Sequence, residues 1–109
     1  MKQFEIWWAD LPGPIGTRPV LVLTRTQAHA YLNKAMVAEI TRTVRGIAQE
    51  VALGPREGLS SRCVANLDNV RMVERAWFTR RAGTLSPSRW HEVKRALGYA
   101  LDWPELKAL

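Results

Sequence analysis

A single cysteine, Cys63, and two histidines, His29 and His91, are all that 109 residues offer of the common soft ligands. One thiol closes no intramolecular disulfide, and there is no C-x-x-C pair or Cys/His cluster to hold zinc. Disulfide scaffolds and structural metal sites are therefore excluded, and a reducing cytoplasm is the expected compartment. No cofactor and no metal are expected. Long hydrophobic runs are missing too: the opening MKQFEIWWADL is broken by Glu5 and Asp10 and reads as neither a secretion signal nor a membrane span. GxxxxGK[ST], GxGxxG, GxSxG and HExxH are absent, which removes P-loop, dinucleotide-binding, elbow-serine and zinc-protease chemistry. Any reaction has to be run by Arg, Thr, Ser, Glu or the two His.

Acid is also scarce. Ten Asp+Glu face 16 Lys+Arg, a formal charge of +6, and the excess is spread through the chain instead of forming a tail. Between Thr17 and Gly46, Arg18, Arg25, Lys34, Arg42 and Arg45 stand against Glu39 alone. Such a surface suits a polyanion, although a well-solvated basic surface has the same composition. With 47% hydrophobic residues the chain can fill one core, so residues 1–109 read as a single domain. At this length folding buries only about two-thirds of the unfolded surface, which makes a homodimer interface a plausible addition.

The apolar pattern is mostly that of strands. Phe4 to Asp10 alternates bulky β-formers and stops at the Pro/Gly-rich segment Leu11–Gly16. Trp7 and Trp8 then point to opposite faces, so at most one belongs to the core. Pro19 to Thr24 is a continuous β-run with Arg18 at its mouth, and Thr26 to Tyr31 is Ala-rich enough for a helical turn. Ala35 to Thr41 resumes strand character. Gln49 to Leu53 is expected to pair with it as a hairpin, with Arg42 and Arg45 at the tip. Arg62–Leu67 and Val70–Glu74 read as two short strands separated by Asp68-Asn69, and Thr79–Leu85 as a weaker one. Ser86 as N-cap and Pro87 at the first helical position open a helix whose stripe Trp90, Val93, Leu97, Leu101 is assigned to the core, with Pro104 marking its end. Many short strands with Gly/Pro punctuation suggest a small barrel.

Two histidines are the familiar acid and base for RNA cleavage, but His29 falls in an expected surface turn and His91 lies off the helix stripe; a solvated side chain is the simpler reading of each. Glu39 has no acidic partner at useful spacing. What remains are Arg18 at the start of one strand and Thr41 at the end of another, both at loop mouths. A guanidinium fork matches two phosphate oxygens and offsets charge developing on phosphorus; a threonine hydroxyl adds one neutral hydrogen bond. The same residues would equally serve as a surface ion pair and a strand-end cap.

At these positions the sequence resembles the MazF/PemK toxin family. The segments carrying the resemblance, in order, are EIWWADLPGPIGTRPVLVLTR (5–25), VAEITRTVRGIAQEVALGPREGL (37–59), CVANLDNVRMV (63–73) and GTLSPSRWHEVKRAL (83–97). The resemblance implies a mainly β fold with α, a small SH3-like barrel (CcdB/MazF-like) with a C-terminal helix, assembled as a homodimer. It implies cleavage of single-stranded RNA at a short sequence without a metal ion, leaving 2′,3′-cyclic phosphate and 5′-OH ends, and a cognate acidic, MazE-like antitoxin. The family's functional Arg and Thr match Arg18 and Thr41, and Arg25, Arg42 and Arg45 are expected to hold the RNA backbone. Two readings compete: a CcdB-like toxin that binds DNA gyrase and cuts nothing, and a nucleic-acid-binding module without catalysis. Two departures stand out. The loop Leu11–Thr17 is short and lacks an acidic residue, and Glu39 stands where the family usually has proline, with an outward-facing strand residue as its simplest reading.

Overall fold

In the computed structural model, which describes residues 1–109, the expected first strand forms as β1 (Glu5–Leu11). Gly13 and Gly16, both at φ 71°, reverse the chain, and the Thr17 hydroxyl donates to Asp10 at 2.5 Å across the neck of the hairpin. β2 (Gly16–Val22) therefore returns antiparallel to β1 with Arg18 opposite Ala9. The Ala-rich stretch forms a 3-10 turn at Thr26–Ala30 and leads into β3 (Lys34–Thr41). There follow β4 (Glu50–Leu53), β5 (Cys63–Glu74), β6 (Phe78–Thr84), α1 (Trp90–Leu101) and the short α2 (Pro104–Lys107).

The strands form one antiparallel sheet in the order β4-β5-β3-β2-β1-β6. The sheet curls until the turn that follows β4 touches β6, although no ladder joins the two edge strands. A Cβ at Gly58, in the turn after β4, would lie 1.9 Å from the Ala82 carbonyl oxygen of β6, and one at Gly83 would lie 2.2 Å from that of Glu57. Only glycine permits that approach, and Gly58 also sits at φ +87°. The result is the small barrel with a C-terminal helix expected from the resemblance.

Alternation divides the side chains between two faces. Ile6, Leu21, Ala38, Ile40, Val51, Ala65 and Leu85 form the interior, which α1 closes with Val93 and Ala96. Ala9, Leu11, Val20, Val37 and Val73 form a second, smaller core on the opposite face, covered by Trp77 and Phe78. Arg89 ties helix to sheet: its Nε and Nη2 donate to the Glu92 carboxylate at 2.9 and 2.8 Å, and Nη2 also donates to the Ala52 carbonyl at 2.7 Å.

Several expectations need correction. β4 does not pair with β3. It pairs with β5, which lies between them, so Arg42–Gln49 is a crossover loop and not a hairpin tip. The reason is that CVANL in β5 is apolar enough to be buried between two neighbours, whereas four-residue β4 serves as an edge. The two strands expected at 62–74 are one, with a bulge: the register steps from Ala38↔Val70 to Glu39↔Asn66. Helix α1 buries Val93, Ala96 and Gly98, while Trp90 is 37% and Leu101 58% exposed. Trp90 packs on Phe4 with ring centroids 5.1 Å apart and is a cover, not a core residue. Ser86 bonds Ser88 and makes no side-chain cap, and the helix ends at Asp102 in a left-handed conformation, φ 51°, so that Pro104 opens α2.

Candidate functional site

Register brings the site together. Val20 faces Glu39 across β2 and β3, and extending that pairing by two residues sets Arg18 across from Thr41. Thr41 and Glu39 share a face of β3 because side chains alternate, and Asn66 of β5 lies directly across from Glu39. These four residues, with Thr43, Arg45 and Asn69, line one cavity of about 160 Å³. A more open groove of about 440 Å³ adjoins it, formed by Trp8, Ile15, Thr17 and Arg42 and sharing Arg18 and Thr41 with the cavity. The pair thus stands where the two concavities join. A larger hollow of about 590 Å³, at Asn33, Lys34, Glu74, Arg75 and Ala76, lies elsewhere and gathers no reactive set.

Arg18 is exposed and engages no carboxylate or carbonyl, so its guanidinium donors are unengaged. It is not in a surface ion pair. Thr41, by contrast, is a strand-end cap: its Oγ1 accepts the Thr43 amide at 3.1 Å. With that lone pair engaged, the hydroxyl hydrogen is available to donate outward. The loop after Thr41 is ordered by Glu50, whose carboxylate accepts the backbone amides of Arg45 at 3.0 Å and Gly46 at 2.9 Å. That arrangement turns Arg45 into the cavity, and Arg42 lines the neighbouring groove.

The carboxylate within the cavity is Glu39, which Arg71 meets at 3.6 Å. Glu39 is therefore turned toward the site, not merely outward from its strand. Arg25 is not brought in. It follows the far end of β2 and donates to the Tyr31 hydroxyl at 2.7 Å, one strand length from Arg18.

Neither histidine joins the cavity. His29 is buried, not solvated; burial holds its imidazole below the ordinary value, with Nε2 donating to the Thr24 carbonyl at 3.2 Å. His91 is exposed on α1. Cys63 is buried, and desolvation, reinforced by Glu57, pushes its thiol up, which disfavours the thiolate. No three His, Cys, Asp or Glu side chains are grouped closely enough to hold a metal ion.

Sequence reasoning missed Asn66, Asn69 and Thr43; behind the groove, the Arg80 guanidinium lies 5.2 Å over the ring of Trp8, which lines it. One signal was available: Asn66 is the polar member of an otherwise apolar strand segment.

Residues 2–101 match the family described as PemK-like, MazF-like toxin of type II toxin-antitoxin system. A Mycobacterium tuberculosis protein named probable endoribonuclease MazF2 is 42% identical over 98 residues, spanning 89% of this chain and 94% of that one. Probable endoribonuclease MazF5 of the same organism is 40% identical, with 90% of each chain covered. Among solved structures, M. tuberculosis toxin MazF-mt6 superposes with a TM-score of 0.85 at 36% identity, covering 90% of this chain and 96% of that one. A mycobacterial endoribonuclease in complex with its cognate antitoxin shares the fold with a TM-score of 0.82 at 23% identity, covering 95% and 97%. The Arg-Thr cavity, the curled sheet with its C-terminal helix, and a match running through nearly the whole chain converge on one assignment: this protein belongs to the PemK/MazF family of type II toxin–antitoxin toxins.

Proposed function

We propose that the protein is a metal-independent endoribonuclease that cuts single-stranded RNA at a short recognition sequence, acting as the toxin of a type II toxin–antitoxin pair. The observation that carries this reading is the meeting of an unengaged Arg18 guanidinium and the Thr41 hydroxyl in one cavity, with Arg42 and Arg45 around it. The names of the M. tuberculosis relatives support the enzyme class.

RNA lies extended along the groove, its phosphates held by Arg18, Arg42 and Arg45, while unstacked bases present their edges. The ribose 2′-OH attacks the adjacent phosphorus, the bond to O5′ breaks, and the products are a 2′,3′-cyclic phosphate and a 5′-OH. Arg18 donates its fork to the non-bridging oxygens as charge accumulates, and Thr41 donates one further hydrogen bond that fixes the phosphate. A guanidinium stabilises charge and does not accept protons at neutral pH, so orientation and electrostatics supply most of the rate. Arg25 contacts RNA only where the strand extends beyond the cavity.

Two partners accompany this reading. An acidic, MazE-like antitoxin segment competes with RNA for the same arginines, consistent with the solved antitoxin complexes of relatives. A second copy of the chain forms a homodimer, for which the exposed cross-strand pair Met36 and Met72, with Leu32 and Tyr31, supplies apolar surface. No helix is long and apolar enough to cross a membrane, and a cytoplasmic location fits the lone, buried Cys63 thiol.

Incubation with a long, weakly structured RNA in EDTA tests the proposal. Fragments ending in 5′-OH and 2′,3′-cyclic phosphate are expected. RNA left intact while gyrase is stalled would identify a CcdB-like toxin, and RNA bound but uncut would identify a binding module; either result overturns the nuclease reading.

A further inference from the structure

The face of the sheet that carries Arg18 and Thr41 continues past them. Glu39 lies two residues before Thr41 on β3, and the register sets Asn66 across from it on β5. Both line the cavity, as does Asn69. This group has no part in stabilising charge on phosphorus, and a carboxylate beside a phosphate site is unfavourable through like-charge repulsion. Arg71, at 3.6 Å, pairs with the carboxylate without covering it; about a quarter of the Glu39 side chain remains exposed.

Asn66 supplies the second observation. It is only 6% exposed, and its Oδ1 accepts the Asp68 amide at 2.8 Å across the bulge. That bond fixes which end of the amide is oxygen and leaves the two N–H donors of Nδ2 without a protein partner. No polar side-chain atom of the protein is both sealed from solvent and unbonded, so this nitrogen opens into the cavity. A charged acceptor and an unpartnered donor that opens into the cavity therefore line the same space, next to the proposed scissile phosphate. The cavity, about 160 Å³, is on the scale of one nucleobase.

We propose that Glu39, Asn66 and Asn69 read the base beside the scissile phosphate, and that they select a base with an exocyclic amino group against uracil. The Glu39 carboxylate accepts the amino N–H, and Asn66 Nδ2 donates to an adjacent acceptor on the same edge. Cytosine and adenine present that pair as an amino group beside a bare ring nitrogen; guanine presents N–H donors followed by a carbonyl. Uracil in the same register sets its O4 carbonyl against the carboxylate and its N3–H against the Asn66 donor, so both contacts become repulsive, and its N3–H could reach the carboxylate only if the base slid by one position. The assignment rests on the reading of Arg18 and Thr41 as the phosphate site, and deepens it.

The test uses full-length protein and RNA oligonucleotides built on a mapped cut sequence, each base near the cut being exchanged singly. At one position the wild type is expected to prefer the amino-bearing base over uridine by about tenfold or more. Glu39→Gln keeps the shape and offers an N–H to a carbonyl, so it brings that ratio to about one or inverts it and leaves the other positions unchanged. Arg71→Ala removes the ion pair but keeps the carboxylate, and retains the preference. If both variants lose thermal stability alike and the ratio stays at its wild-type value, Glu39 is an ion-pair residue only and the proposal fails. Equal loss of cutting on both bases in Glu39→Gln would place it in the chemistry and also overturns the proposal. Absence of any cutting by the wild type is the separate result that removes the nuclease reading beneath it.

Discussion

Replacing Arg18 by Ala removes the group on which the chemistry depends and almost nothing on which the fold depends. The side chain is exposed and makes no ion pair or hydrogen bond within the protein. Truncation therefore leaves no buried partner unsatisfied, and a surface change of this kind alters stability by about 0.5 kcal/mol or less. Catalysis is another matter. The guanidinium offers a charged, two-point contact to oxygens whose charge grows during displacement, and loss of one well-placed donor of that kind costs about 10²–10³ in kcat, roughly 2.7–4 kcal/mol. Arg18→Ala should lose at least that much. Arg18→Lys restores charge without the planar fork and should recover part of it. Initial cleavage rates on a fluorescently labelled single-stranded RNA, taken with urea unfolding curves of the same preparations, separate the two effects. A variant that cuts at the wild-type rate, or one whose lost rate is matched by lost stability, would refute the reasoning.

Further outcomes follow from the same structure. Gly83→Ala places a Cβ against the Glu57 backbone at a distance no real contact allows, so the barrel seam must open; destabilisation of about 3 kcal/mol or more is expected by urea denaturation. Glu92 is held below its ordinary value of 4.5, chiefly by the Arg89 hydrogen bonds against an opposing effect of burial. Its contribution is therefore present at neutral pH and lost as pH falls through the lowered folded value. Glu92→Gln should cost about 1 kcal/mol at pH 7 and almost nothing in acid below that value, read from unfolding curves across the range. Glu50→Ala releases the amides of Arg45 and Gly46. Amide hydrogen exchange in residues 42–49 should then quicken, and cleavage should fall several-fold, about 1 kcal/mol in barrier, with little change in midpoint.

How much of this was legible in the sequence depended on how local the cause was. The turn at Leu11–Gly16 was written in its Pro and Gly residues, and Arg18 and Thr41 could be singled out because each stands where a strand meets a loop. Pairing was less local. β4 follows β3 in the chain, and neighbours usually pair, yet β5 is apolar enough to come between them. The helix stripe held in part, for a related reason. The spacing identified Val93 and Leu97, but the curled sheet meets α1 along Val93 and Ala96 with Leu97 and Ala100 beside them, and Gly98 is buried by α2, which packs so closely that a Cβ there would lie 2.7 Å from the backbone nitrogen of Lys107. His29 was misread because its surroundings include a residue distant in the chain: Arg75, 46 positions on, donates to the His29 carbonyl, and the side chain is buried. Glu39 and Asn66 belong together only through the β3–β5 register, and the bulge that sets it has no signature beyond Asp68-Asn69, which also reads as a break between strands.

The central claim is that Arg18 and Thr41 act on the same phosphate, and a double-mutant cycle on cleavage rate measures it directly. Arg18→Ala, Thr41→Ala and the double variant are compared with the wild type on one RNA under single-turnover conditions. Groups acting as a unit give grossly non-additive losses, so the double variant should be little slower than Arg18→Ala alone. Losses that multiply, or a Thr41→Ala variant as fast as the wild type, would contradict the account.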